Sequence, residues 1–215
     1  MIMDRIKTLL LPCALLLSTL SLSAETGDGD AAPASYVGGW EFLELHHDFK
    51  NSRWSITEYM EHDNIKYSKF ECAYNRFTVD YRILPWLSAG LGYDFMIEPG
   101  HLTHRAIAEL SGALKSGSFK VSIRERYMHT WRPDSQKDEL RSRLKVQYYV
   151  PESRFSPYLA MEVFTWGVKW TQTRHYVACD YNITPWMQLE WYYMYYAFKD
   201  APAEHVIGIG LNFDL

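Results

Sequence analysis

The sequence predicts an all-β protein, an antiparallel up-and-down transmembrane β-barrel of 10–12 strands. Apolar and polar residues alternate over long segments, and most of the predicted strands are 11 to 15 residues long. Strands of soluble proteins average about 5 or 6 residues. Aromatic residues make up 16% of the chain, with 16 Tyr and 8 Trp, and such residues suit a membrane interface. No segment after the N-terminal leader approaches 18 uninterrupted apolar residues, so a spanning chain must form a closed barrel.

The N-terminus has the features of a secretory signal. Arg5 and Lys7 precede a short apolar run, which small residues follow up to Ala24. This order predicts a signal peptide at residues 1–24 that is removed on export. Residues 25–36 are polar and predict an N-terminal tail, which leaves 37–215 for the barrel.

From residue 38 the chain reads as strands separated by turn residues. In the segment 137–149, for example, Arg141, Arg143 and Lys145 alternate with Leu144 and Val146, which is the period of two of a β-strand. The predicted strands are 38–48, 51–61, 66–84, 86–97, 103–114, 118–131, 137–149, 155–166, 169–183, 185–198 and 204–215.

These segments number eleven, whereas bacterial barrels are expected to have an even number. Either 38–48 lies outside the wall, leaving ten strands, or one strand has been missed, making twelve. The phase of alternation also slips within 66–84, which predicts a β-bulge near Asn75.

Short turns at 83–85, 115–118, 150–154 and 182–185 fall on the side of the C-terminus, which is predicted to be periplasmic. The motif Asp-Tyr-x-Ile-x-Pro-Trp occurs at 80–86 and again at 180–186. It predicts a tight turn followed by a Trp at the membrane interface on the periplasmic side.

The C-terminal strand resembles the signal by which outer-membrane barrels are recognised for insertion. The residues that carry it are Gly210, Phe213 and Leu215. Together with the export signal, they predict the outer membrane of a Gram-negative cell as the location. Outer-membrane lipids and the barrel-assembly machinery are then the expected partners.

Charge and cysteine content exclude other classes of protein. The precursor has a formal net charge of −4; residues 1–24 contribute +1, so the remainder carries −5, which is not a footprint for nucleic acid. Cys72 and Cys179 lie in predicted strands without metal-ligand spacing, and two free thiols are favoured over a disulfide. No metal and no cofactor are predicted.

Charged residues recur on the face of the strands predicted to line the lumen, where they meet across a narrow bore. One interpretation is an ion-pair network that fills the interior, in a protein with a structural role. The other is a narrow, weakly anion-preferring pore for small polar solutes. The residues are Asp94, Arg105, Glu109, Arg124, Arg126, Arg141, Arg143, Lys145, Glu162, Arg174, Asp180 and Glu190.

Two other functions remain open, although the residues favour a non-enzymatic role. Five histidines are predicted near the extracellular rim, and they are weak catalytic candidates for an enzyme that modifies outer-leaflet lipid; they are His62, His101, His104, His129 and His205. No motif places a nucleophile beside any of them. The same strands also fit a soluble periplasmic β-protein that binds a ligand.

Several short segments, in this order, resemble an uncharacterised family of outer-membrane proteins, domain of unknown function 2490. They are Leu91-Gly-Tyr93, His104-Arg105, Arg141-x-Arg143-x-Lys145-x-Gln147-Tyr148, Pro157-Tyr-Leu-x-x-Glu162-x-Phe164 and Arg174-x-x-x-Ala178-Cys-x-Tyr181-x-Ile183. The resemblance covers roughly residues 40–215. It implies a small outer-membrane barrel and no particular activity.

Overall fold

A computed structural model of the chain describes residues 36–65, 69–167 and 169–215. The predicted signal peptide and residues 25–35 of the predicted tail lie outside the described residues, and Tyr36, the last predicted tail residue, begins the first strand. The strands are β1 (Tyr36–Asp48), β2 (Trp54–Ile65), β3 (Lys69–Leu84), β4 (Leu87–Glu98), β5 (His101–Ser116), β6 (Phe119–Arg132), β7 (Ser135–Tyr148), β8 (Phe155–Trp166), β9 (Lys169–Thr184), β10 (Met187–Phe198) and β11 (Glu204–Asp214).

The strands form one closed barrel in which each strand pairs antiparallel with the next. The barrel closes through β1 and β11, which run parallel from the pair Tyr36 and Glu204 to the pair His46 and Asp214. The predicted barrel of 10–12 strands is confirmed, since the described residues form eleven. The expectation of an even number is wrong, and the segment 38–48 belongs to the wall. The parallel pair makes an odd number possible, because β1 satisfies the free edge of β11 without reversing direction.

Each strand presents alternate side chains to the interior and to the outer surface. On β3 the interior side chains include Tyr74, Arg76 and Thr78 in unbroken alternation. The bulge predicted near Asn75 is wrong, since the register of β3 against β2 shifts between Phe70 and Cys72, with Glu71 as the extra residue. The apparent slip arose because Tyr74 faces inward, whereas Phe77 and Val79 face outward.

The predicted short turns do lie at one end, which we call the C-terminal end because Asp214 lies there. The connections at this end are 49–53, 85–86, 117–118, 149–154 and 185–186. Connections of two residues, 99–100 and 133–134, also occur at the opposite end, so loop length does not orient the barrel. Gly100 and Gly117 have φ of 87° and 57°, which permits such tight turns.

No helix among the described residues is long and apolar enough to cross a membrane.

The repeated motif forms the same structure twice. Trp86 and Trp186 each follow a strand that ends at the C-terminal end, and each is about half exposed. The Trp186 ring stacks on Phe213, with 6.1 Å between the ring centroids. The two cysteines are on opposite faces: Cys72 donates inside the barrel to Asp63, with an S–O distance of 3.2 Å, and Cys179 is on the outer face, so no disulfide joins them.

Candidate functional site

The interior of the barrel contains a cavity of about 630 Å³ with a mainly polar wall. Pro85, Trp86 and Asp214 line it at the C-terminal end, and it extends inward to Trp40 and Arg174. Among the described residues, none from the rim of the opposite end contributes to its lining. The cavity is therefore a vestibule that opens at one end of the barrel.

All twelve charged residues predicted for the lumen have interior positions in the strand register. Eleven of them form a small number of ion-pair groups that join different strands. Asp94 accepts two hydrogen bonds from Arg76, at 2.7 and 2.9 Å, and lies 3.2 Å from Arg105. Asp180 lies 3.6 Å from Lys145. Glu190 accepts a hydrogen bond from the Tyr158 hydroxyl at 2.6 Å.

The largest group surrounds Glu162, whose side chain is fully buried. Arg141 donates to it at 2.6 and 2.8 Å, and the hydroxyl of Tyr176 donates at 3.0 Å. Three further guanidinium groups approach the same carboxylate, at 3.4 Å for Arg124, 3.6 Å for Arg143 and 4.0 Å for Arg174. One carboxylate therefore serves four arginines, because β6, β7 and β9 all turn their basic positions toward it.

Glu109 is the second carboxylate of this region. It lies 2.6 Å from Arg126 and 4.0 Å from Arg124. Five arginines thus share Glu109 and Glu162, which leaves three positive charges in excess within the group. The nitrogens Nε of Arg124, Arg141, Arg143 and Arg174 and Nη1 of Arg126 have no hydrogen-bond acceptor among the described residues. All five arginines line the cavity, and Glu44, Glu61 and Glu190 line it with them.

Apolar side chains pack beyond this arginine group together with buried polar ones, which include Asp63, Thr103 and Thr130. Arg174 lies against three aromatic rings, with its guanidinium carbon 4.3 Å from the Tyr196 centroid, 4.7 Å from Trp40 and 4.9 Å from Phe164. Such contacts hold a cation beside an apolar layer. The layer continues with buried residues of several strands, namely Met96, Ile107, Met128, Met194 and Val206. A solute in the vestibule therefore meets a packed constriction.

The sequence did not indicate several interior charged residues, of which Arg76 is the most closely paired. Four more of them are Glu44, Glu61, Asp63 and Asp80. They are on β1, β2 and β3, where Glu41, Glu58 and Asn75 stand at outward positions. Because both faces of these strands carry polar residues, alternation alone does not distinguish inside from outside there. The glycines of β4 could have indicated the interior position of Asp80, since a Cβ at Gly90 would lie 2.1 Å from the Asp80 carboxylate.

The five candidate histidines do not converge. Four of them are on the outer surface, namely His62, His104, His129 and His205. His101 faces the interior at the end opposite the C-terminal end, 2.9 Å from Glu98. The nearest contacts of the outer four are the Asn64 amide, the Tyr93 hydroxyl, the Asp138 carboxylate and the Tyr193 hydroxyl. Within the described part of the chain, no three His, Cys, Asp or Glu side chains are placed to hold a metal ion.

The three residues of the C-terminal signal have separate surroundings. A Cβ on Gly210 would lie 2.3 Å from the Phe42 ring, so this glycine makes room for an interior aromatic residue. Phe213 is on the outer surface against Trp186. The backbone of Leu215 bonds to β1, with its N–H donating to the His46 carbonyl at 2.8 Å.

Comparison with known proteins gives a family and a fold. None of the curated proteins is similar enough to match. Among solved structures, the NanC porin has a TM-score of 0.55 at 15% identity, covering 85% of this chain and 100% of its own. The KdgM porin has a TM-score of 0.50 at 10% identity, both alone and in complex with disordered oligogalacturonate, covering 79% of this chain and 88% of its own. The family described as "Protein of unknown function (DUF2490)" matches residues 37–206, and the chain belongs to that family.

Proposed function

We propose that this protein is an outer-membrane barrel that admits small anionic solutes through a narrow, slow pathway. The observation that carries the proposal is the excess of positive charge around Glu109 and Glu162 at the inner part of the cavity. Guanidinium groups bind carboxylate and phosphate oxygens well. An interior of this kind therefore selects by charge.

The outer surface supports a membrane location. Large apolar side chains are exposed around most of the wall, among them Leu91, Ile123 and Ile209. Aromatic pairs flank the C-terminal end, including Trp54 with Tyr81, whose ring centroids are 4.8 Å apart. An apolar band with aromatic residues at its border is typical of outer-membrane barrels. We take the lipids of that membrane, and the assembly machinery that inserts such barrels, as the protein's partners.

The packed layer sets the rate. Met194 is completely buried and Val206 is 1% exposed, so a solute that leaves the vestibule must displace side chains. We therefore expect permeation well below that of a wide, water-filled porin. The similar fold of the NanC and KdgM porins supports transport of solutes. The arginines of this chain are the reason for proposing an anionic solute.

The test is flux into liposomes that contain the purified protein. D-gluconate and D-glucose are of similar size and differ in charge. We expect gluconate to enter faster, and we expect Arg143→Gln to remove most of that difference, because Arg143 lines the cavity. Arg154→Gln is the matched control, since Arg154 is in the exposed connection 149–154.

Two results would contradict the proposal. If neither solute entered, the interior would be a sealed ion-pair network and the role of the barrel structural. If both entered equally and Arg143→Gln changed neither, the arginine group would not select the solute.

A further inference from the structure

The wall of the vestibule carries opposite charges on opposite sides. The arginine group belongs to β6, β7 and β9, whereas β10, β11, β1, β2 and β3 follow one another on the other side of the barrel. In the closed order of strands, β1 lies across the bore from β6 and β7. We call four of the carboxylates that line the cavity on the side of β1 the acidic face, and define it by Glu44, Glu61, Asp80 and Glu190.

The acidic face has no cation of its own. Within the described chain, Glu61 and Glu190 accept side-chain hydrogen bonds only from neutral hydroxyl and amide groups. Among the same residues, Glu44 and Asp80 have neither a hydrogen-bond partner nor an ion pair. Uncompensated carboxylates in a narrow cavity with low-dielectric walls attract a positive group.

The basic side chains on the same strands already have partners. Arg76 lines the cavity and donates to Asp94 at 2.7 and 2.9 Å. Arg82, nearer the opening, lies 3.2 Å from Asp48. His46 is hydrogen-bonded to a threonine hydroxyl at 2.9 Å. None of these three forms an ion pair with a carboxylate of the acidic face.

The two sides of the wall are close enough for one small solute to contact both. The Tyr158 hydroxyl donates to Glu190 at 2.6 Å, and Nζ of Lys145 lies 3.6 Å from the centroid of the same ring. The guanidinium carbon of Arg143 lies 5.4 Å from the centroid of the Tyr176 ring. A single tyrosine ring therefore separates a carboxylate of the acidic face from a cation of the basic side, which is the scale of a monosaccharide.

A solute with both charge signs fits this wall best. On the basic side, Arg126 is 4% exposed and lines the cavity, and its Nη1 has no acceptor among the described residues. Guanidinium groups of this kind bind phosphate or carboxylate oxygens, and an ammonium group on the same solute would supply the acidic face with its missing cation. We propose that the vestibule binds preferentially small anionic solutes that also carry an ammonium group. The inference rests on the proposed function and narrows the class of solute named there.

The test is equilibrium binding to the folded barrel in detergent, measured by titration calorimetry at neutral pH. Glucose 6-phosphate and glucosamine 6-phosphate differ in one hydroxyl group, which the second sugar replaces with an ammonium group. We expect the Kd of glucosamine 6-phosphate to be about tenfold lower, since one hydrogen bond to a charged group is worth at least that factor. N-acetylglucosamine 6-phosphate, whose nitrogen is uncharged, is expected to lose this advantage.

A double variant tests the acidic face itself. Glu44→Gln with Glu190→Gln removes two negative charges, and we expect it to abolish the advantage of glucosamine 6-phosphate over glucose 6-phosphate. Glu41→Gln is the matched control, because Glu41 is on the same strand as Glu44 and is exposed on the outer surface. The control is expected to keep the tenfold difference. The heat-dependent gel mobility of each variant shows that the barrel has folded.

Three outcomes would overturn the inference. They are equal Kd values for the two sugar phosphates, an advantage that survives in the double variant, and free glucosamine that binds as tightly as glucosamine 6-phosphate. A failure of gluconate flux with the difference in binding intact would count against transport alone. Gluconate flux with equal binding of the two sugar phosphates would count against the ammonium group alone.

Discussion

Glu162 concentrates the electrostatics of the interior in one side chain. It has no solvent exposure and lies within 4.0 Å of four guanidinium groups. A buried carboxylate of this kind is stabilised by its partners, and they in turn depend on its charge. Removing that charge leaves Arg141, Arg143 and Arg174 without their carboxylate partner.

We predict that Glu162→Gln lowers the free energy of unfolding by about 3–5 kcal/mol, the usual cost of removing one partner of a buried ion pair. Denaturant unfolding in lipid vesicles measures it. Glu190→Gln is the control, because Glu190 is hydrogen-bonded to Tyr158 and Asn212 and has no cation within ion-pair distance in the described structure. We expect a cost of about 0.5–1.5 kcal/mol there. Equal costs for both variants would contradict the assigned role of Glu162.

Individual residues also show how far the sequence could be interpreted. On β7 the alternation of Arg141, Arg143 and Lys145 with apolar residues predicts the interior face directly. On β3 the same rule does not identify Arg76, because the aromatic Tyr74 faces the interior and the polar Asn75 faces outward. Interior aromatic residues pack against charges in this barrel, as the 5.2 Å contact of Arg76 with the Tyr74 ring shows. Hydrophobicity alone therefore assigns them to the wrong surface.

At the scale of an element, β11 closes the barrel and its glycines make the closure possible. A Cβ on Gly208 would lie 2.0 Å from the Tyr192 ring, and one on Gly210 would lie 2.3 Å from the Phe42 ring. Both rings point inward from neighbouring strands. The glycine pattern of β11 is visible in the sequence, but the rings that require it belong to β1 and β10.

We predict that Gly208→Ala destabilises the barrel by about 1–3 kcal/mol, the usual cost of overpacking. The fraction of chain with heat-dependent gel mobility, followed through a denaturant series, measures the effect. Gly112→Ala is the matched control, since a Cβ there would meet its nearest atom at an ordinary 3.6 Å. If the two variants unfolded at the same denaturant concentration, the close fit of Tyr192 against β11 would be wrong.

The sequence did not predict the parallel pairing of β1 with β11. Ten of the eleven strand pairings join consecutive strands and follow from order along the chain. The remaining pairing brings Tyr36 to Glu204, and alternation within a strand does not encode the direction of a distant partner. A rule of even strand number then favoured ten or twelve strands.

For the molecule as a whole, the position of the charges matters more than their total. The chain has a formal net charge of −4, yet the arginine group at the inner part of the vestibule is positive. Acidic side chains also line the cavity nearer its opening, including Asp80 and Asp214. If the proposed function is right, the arginine group determines the selectivity, which we expect to weaken as salt screens that group.

The most direct test of anion selectivity is the reversal potential of the reconstituted protein in a planar bilayer under a potassium chloride gradient. We predict small currents whose reversal potential lies on the chloride side of zero, with a smaller offset at higher ionic strength. A reversal potential on the potassium side, or a bilayer that stays silent although folded protein is present, would contradict the account.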